Sequence, residues 1–191
     1  GGYNLIQRNM KNKNEEIEAD VFEEPFPHLI LHNFYTKEEL DLIWEELNFY
    51  TKPGKLLEAK DFGGIIDATN SKAIMLDQLY KDYSDGTRED IIGSPNYRSL
   101  SNILTVNRKL FDSGVLDVFA KIHDCVSLAT ETTHDVTKVR YYHDGEYYEP
   151  HTDKTINYLA FSYFYRKPKK FTGGELIFPK YDYTFDCQNN S

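Results

Sequence analysis

Hydrophobic and polar positions change their rhythm along this chain, and the change divides it in two. Residues 1–24 are polar and mixed in charge, with Lys11-Asn-Lys-Asn-Glu-Glu16 at the centre, and are expected to be a loose lead-in. Pro25-Phe-Pro-His-Leu-Ile-Leu-His-Asn-Phe34 then forms a short apolar run that predicts a strand with Leu29, Ile30 and Leu31 buried. Thr36-Lys-Glu-Glu39 is a capping box, and Leu40, Ile43, Trp44 and Leu47 follow at helical spacing, so a helix should start here with one apolar stripe on a core. Residues 52–70, with Pro53-Gly54 and Gly63-Gly64, are expected to be loop. A second helix is predicted over about 71–82, using Ile74, Leu76, Leu79 and Tyr80, and a third region over about 101–128, interrupted near Ser113-Gly114.

From Thr137 the period shortens. Val139–Tyr142, Glu146–Tyr148, Ile156–Tyr165 and Glu175–Phe178 alternate like strands, and Asp144-Gly145 and Gly173-Gly174 punctuate them. Helices first and strands afterwards predict an α+β domain over 25–191, with the helices outside a sheet or barrel.

Composition changes this picture little. The chain has 191 residues, 40% hydrophobic and 28% charged, as expected of one globular domain. A formal net charge of −9 argues against a nucleic-acid partner, and the one basic cluster, Arg166-Lys-Pro-Lys-Lys170, is expected to be a solvated loop between strands. Two cysteines, Cys125 and Cys187, have no metal-binding spacing, which fits a reducing, cytoplasmic setting without a disulfide framework. No run approaches eighteen apolar residues, so no membrane partner is expected. Asn189-Asn190-Ser191 matches a glycosylation sequon, most simply by chance.

The candidate chemistry lies in Tyr142-His-Asp-Gly145-Glu-Tyr-Tyr148-Glu-Pro-His151-Thr-Asp153. On a strand, side chains at i and i+2 share a face, with Cα atoms roughly 6.5 Å apart. His151 and Asp153 would then reach one metal ion as adjacent ligands, and a further histidine would complete a 2-His-1-carboxylate facial triad. His-x-Asp is a common spacing by itself; what surrounds it is not.

Tyr142-x-x-Gly145-x-x-Tyr148-x-x-His151-x-Asp153 resembles the signature of the prolyl-4-hydroxylase-like branch of the Fe(II)/2-oxoglutarate-dependent dioxygenases. Gly173-Gly174-Glu175-Leu-Ile-Phe178-Pro179 resembles that family's Gly-Gly-Glu strand, and residues 25–50 resemble its leading strand and first supporting helix. The resemblance implies N-terminal helices packed on a double-stranded β-helix (jelly-roll) core. It also implies Fe(II) and 2-oxoglutarate as cofactors, with ascorbate as an accessory reductant. His151 and Asp153 match metal ligands and carry the catalysis; Tyr142 matches a tyrosine lining the cosubstrate pocket, and Tyr148 a position on its substrate side. The chemistry implied is hydroxylation of a C–H bond coupled to conversion of 2-oxoglutarate to succinate, with prolyl, other peptidyl or small-molecule substrates.

One departure is plain. The family needs a second histidine after the aspartate and a basic residue about ten positions beyond it, yet no histidine follows His151. His28, His32, His123, His134 and His143 all precede it. Among Arg166, Lys167, Lys169, Lys170 and Lys180, none stands in the strand context of the cosubstrate-binding position. The jelly roll is therefore expected to be incomplete at its C-terminus. The intact motif favours truncation over a degenerate member that no longer binds iron. Two ligands alone should hold Fe(II) poorly, and an open sheet edge would offer a route to a homodimer. A non-enzymatic jelly-roll binding module and a cupin-like metalloenzyme that does not use 2-oxoglutarate stand as the alternatives.

Overall fold

The structure is a computed structural model and describes residues 5–12, 15–55, 57–58, 69, 71–77, 79–80, 95–123, 136–153, 158–186 and 188–191. The chain forms two compact units. The first comprises Gly1–Thr36, Lys109–Thr133 and Thr152–Ser191; the second comprises Lys37–Arg108 and His134–His151.

In the first unit, β1 (Leu5–Asn12), β2 (Glu15–Phe22) and β3 (His28–His32) form an antiparallel sheet in that order. Val21 pairs with Leu29 and Ala19 with Leu31. The expected loose lead-in is therefore a β-hairpin instead. Ile17, Ala19 and Val21 are buried while Glu18 is exposed, a period-two pattern that the polar composition around it obscured. The expected strand at 25–34 is found, shortened to β3, but Leu29, Ile30 and Leu31 are half-buried and not buried as expected.

The same unit carries β7 (Leu176–Phe178), antiparallel to β8 (Tyr183–Phe185), with Pro179–Tyr181 between them as a 3-10 turn. Aromatic rings join these strands to β3 and to Phe26 just before it, with His28 5.2 Å from Tyr183. His28 stacks on Phe22 at 4.5 Å, and Phe26 lies 4.7 Å from Phe178 and 5.0 Å from Tyr181. Two short helices, α3 (Lys109–Asp112) and α4 (Val115–Ala120), bury Val115 and Leu116. Gly114, at φ 82°, makes the expected interruption between them, a conformation glycine adopts without Cβ strain. Lys109 Nζ donates to the Phe34 carbonyl at 2.7 Å and lies over the Phe34 ring.

The second unit is built on α1 (Lys37–Tyr50) and α2 (Asn102–Asn107). Helix α1 begins where the capping box predicts it. Ile43 is buried, and Leu40, Trp44 and Leu47 are half-buried, so the predicted stripe does face inward. Its most enclosed polar residue is Glu46, which receives hydrogen bonds from Tyr50 Oη, Tyr80 Oη, Ser101 Oγ and the backbone N–H of Ile103, all at 2.8–2.9 Å. Ser101 also caps α2, its Oγ accepting from Leu104 N–H.

The sheet of this unit runs β4 (Leu57–Glu58), β5 (Lys72–Met75), β6 (Lys138–Tyr141), with antiparallel neighbours. The helix expected over 71–82 is thus replaced at 72–75 by a strand, and helical residues start only at Leu76. Pairing on both sides, Leu57 with Ala73 and Ile74 with Val139, gives Ala73 and Ile74 a buried ladder that outweighs a weak helical period. Strand β6 matches expectation. The strand expected at Glu146–Tyr148 reduces to a single antiparallel bridge between Tyr148 and Thr69, and residues 158–165 form no ladder among the described residues. Residues 59–68, 81–94 and 154–157, which bear on the loop, helix and strand expected there, lie outside those described.

Candidate functional site

The motif begins where β6 ends. Tyr142 follows the strand and is half-exposed. The chain then turns at Asp144-Gly145, with Gly145 at φ 78° as its type of turn requires, and Glu146 N–H donates back to the His143 carbonyl at 3.0 Å. Glu146 closes the turn from its side chain too, accepting from His143 N–H at 2.7 Å. His143 is exposed, as expected of a residue before the turn.

After the turn, Tyr148 returns alongside Thr69. Three hydroxyl and carbonyl groups order this return. Thr69 Oγ1 donates to the Tyr147 carbonyl at 2.7 Å, which leaves it to accept from Ser71 Oγ at 2.7 Å. Ser71 Oγ in turn accepts from Arg140 Nη1 at 2.7 Å. Thr69 and Ser71 are both buried, so this line of bonds lies out of water and its direction is fixed by proton count.

Arg140 carries the order outward. Its guanidinium carbon lies 4.7 Å from the centroid of the Tyr148 ring, and the Tyr148 ring lies 4.2 Å from that of His151, tilted by 32°. The edge of His151 is held as well: Nδ1 is 2.9 Å from the Glu149 carbonyl oxygen. A carbonyl only accepts, so Nδ1 carries the proton. In the neutral ring Nε2 then holds the lone pair, the state in which an imidazole ligates a metal.

His151 and Asp153 are both exposed, and residues 151–153 belong to no strand. The boundary between the two units falls between His151 and Thr152. Tyr142, Tyr148 and His151 thus belong to the second unit and Asp153 to the first. Tyr148 and His151 are brought together; the shared strand face expected for His151 and Asp153 is not what orders this segment. Sequence reasoning missed Arg140, Ser71 and Thr69. The signal available for Arg140 was a lone cation inside the aromatic strand Val139-Arg-Tyr-Tyr142.

A neutral imidazole with its lone pair on Nε2 and a carboxylate are donor types that suit Fe(II). Among the described residues, however, no group of three His, Cys, Asp or Glu side chains is placed to hold a metal ion. His28 is committed elsewhere: Nδ1 donates to the Phe26 carbonyl at 2.8 Å, so Nε2 accepts from Tyr183 Oη at 3.2 Å. It stands in the wall of an apolar cleft of about 380 Å³ in the first unit, whose described lining includes His123 but no Asp or Glu side chain. The basic loop Arg166–Lys170 is exposed, as expected. No described helix is long and apolar enough to cross a membrane. Comparison of the chain with protein-family models, with curated proteins and with solved structures gives no match.

Proposed function

We propose that this chain supplies two protein ligands, His151 and Asp153, to the iron centre of an Fe(II)/2-oxoglutarate-dependent hydroxylase on a jelly-roll scaffold. The observation that carries this reading is the Nδ1–H bond of His151 to the Glu149 carbonyl, because in the neutral ring it puts the lone pair on Nε2, in the residue that the sequence motif marks. The Gly-Gly-Glu sequence leading into β7 supports it from the other side of the motif.

Bound Fe(II) and 2-oxoglutarate would supply the oxidising chemistry. The chain's own part is to hold and orient. His151 offers a neutral imidazole, and Asp153 a carboxylate that offsets part of the metal charge. Tyr142 and Tyr148, with hydroxyls on half-exposed rings, would contact cosubstrate and substrate. A second histidine and a basic partner for the cosubstrate carboxylate complete the set the reading requires, and neither follows His151 in the family's spacing. Substrates would be prolyl or other peptidyl side chains, or small molecules, in a reducing cytoplasm, and a homodimer joined at a sheet edge belongs to the same reading.

Succinate release from 2-oxoglutarate with Fe(II) tests this, measured with and without added imidazole standing in for the second histidine. The expected result is release that rises with imidazole and disappears in His151→Ala. Equal release from the two proteins would count against the hydroxylase reading.

A further inference from the structure

We infer that Arg140 is the positioning residue for His151, acting through the Tyr148 ring. The inference rests on the reading of His151 as a ligand, but the geometry behind it stands separately. An exposed histidine two bonds from its backbone samples several rotamers and both tautomers unless its surroundings select one. Two contacts of this ring bear on the selection. The Glu149 carbonyl takes the Nδ1 proton, and the Tyr148 face covers one side of the imidazole. The carbonyl lies two residues from the ring it holds and would follow any local movement of the chain. A fixed reference has to come from elsewhere in the unit.

Arg140 supplies it. It is half-buried in β6, at the strand position paired with Ala73, which is fully buried. Its Nη1 is tied to Ser71, and Ser71 to Thr69, which also holds the Tyr147 carbonyl. The planar guanidinium therefore cannot slide without breaking its bond to the buried Ser71 hydroxyl. Lying 4.7 Å over Tyr148, it fixes the plane on which His151 rests. Lysine would keep the charge but lose the planar face and the directed Nη1 bond, so the arrangement is specific to arginine.

The test uses the full chain with ring nitrogens labelled, and reads the tautomer of His151 by long-range nitrogen–proton correlation. Anaerobic Fe(II) titration is the second readout. Wild type should show mainly the Nδ1–H form. Arg140→Ala should return His151 to the mixed tautomers of a solvated ring and weaken Fe(II) by about tenfold, the low end for loss of a contact behind a ligand. Arg140→Lys should recover only part of both, and Tyr148→Phe, which keeps the ring, should recover nearly all. Ser71→Ala removes the guanidinium's hydrogen bond together with the one Ser71 donates to Thr69, leaves the Arg140 side chain in place, and serves where Arg140→Ala fails to fold; it should shift the tautomer in the same direction. An unchanged His151 tautomer in folded Arg140→Ala, or in Ser71→Ala, overturns the inference. A tautomer that responds to Arg140 in a protein that binds no Fe(II) supports the positioning role and overturns the hydroxylase reading.

Discussion

Glu46 Oε2 accepts a hydrogen bond from the backbone N–H of Ile103 at 2.8 Å, so a carboxylate on α1 holds the first turn of α2. Its other oxygen accepts hydrogen bonds from Tyr50 Oη and Tyr80 Oη, and none of these donors is a cation. Glu46 is only 8% exposed, so removing it strands buried donors that water does not easily reach. Glu46→Ala should cost about 3 kcal/mol, the expected scale for losing bonds to a charged acceptor. Glu46→Gln should recover part of that loss, because its Oε1 can accept from Ser101 Oγ and Ile103 N–H while its NH2 donates to the Tyr50 and Tyr80 hydroxyls, which also carry lone pairs. Urea unfolding at constant slope measures both; an unshifted midpoint in Glu46→Ala would refute this account of the core.

The two tyrosines at that carboxylate give an alkaline signature. Burial first, and then the hydrogen bonds and negative charge around it, raise Tyr50 well above the ordinary 10.0. Burial raises Tyr80 as well. Both folded values lie above the unfolded one, so their contribution is complete below about pH 10 and declines as pH rises further. Thermal unfolding across pH 8 to about 11.5 should show stability falling above 10, and more shallowly in Tyr50→Phe. Identical profiles would mean that Tyr50 keeps a water-like environment.

His28 should give an acid signature in the first unit. Burial lowers its affinity for a proton below the ordinary 6.5, against a smaller opposing effect of the Phe26 carbonyl. A depressed folded value contributes stability above pH 6.5, which is lost as pH falls through the folded value. Protonation would also break the acceptor role of Nε2 toward Tyr183. The Phe22 and Tyr183 resonances should therefore shift as pH falls below 6.5, and His28→Phe should remove the shift. Persistence of the same shift in that variant would assign it to another group.

Asn190 ties the segment before α1 to the chain's last residues. Its Oδ1 accepts from Tyr35 N–H and its Nδ2 donates to the Tyr35 carbonyl, each at 2.9 Å, while its own N–H donates to the Tyr163 carbonyl at 2.8 Å. It does so at φ 62°, a region asparagine tolerates better than most residues. Asn190→Ala loses both side-chain bonds and should cost about 2 kcal/mol. Asn190→Asp keeps the acceptor but sets a buried carboxylate oxygen against the Tyr35 carbonyl, and should cost at least as much. Hydrogen exchange at the Tyr35 amide checks this locally; unchanged protection in Asn190→Ala would contradict it.

What the sequence disclosed followed from how local each cause is. Helix α1 was legible because its capping box and stripe lie within one segment. Strand β6 and the turn at Gly145 were legible for the same reason. Strand β5 was not, because Ala73 is a strand residue only through partners more than a dozen positions away at Leu57 and Arg140. The hairpin of β1 and β2 was hidden by charge, since Glu18 and Asp20 are spaced between Ile17, Ala19 and Val21 and masked their alternation. At the site, His151 was marked by its motif. The residues behind it were not, because Ser71 and Arg140 meet only after the β5–β6 pairing has formed.

The most direct measurement is residue-resolved paramagnetic broadening during anaerobic addition of Fe(II), which detects even weak binding. Broadening should begin at His151 and Asp153 and vanish in His151→Ala. Broadening centred on His143 or another histidine, or none that is residue-selective, would contradict the assignment of His151 as an iron ligand.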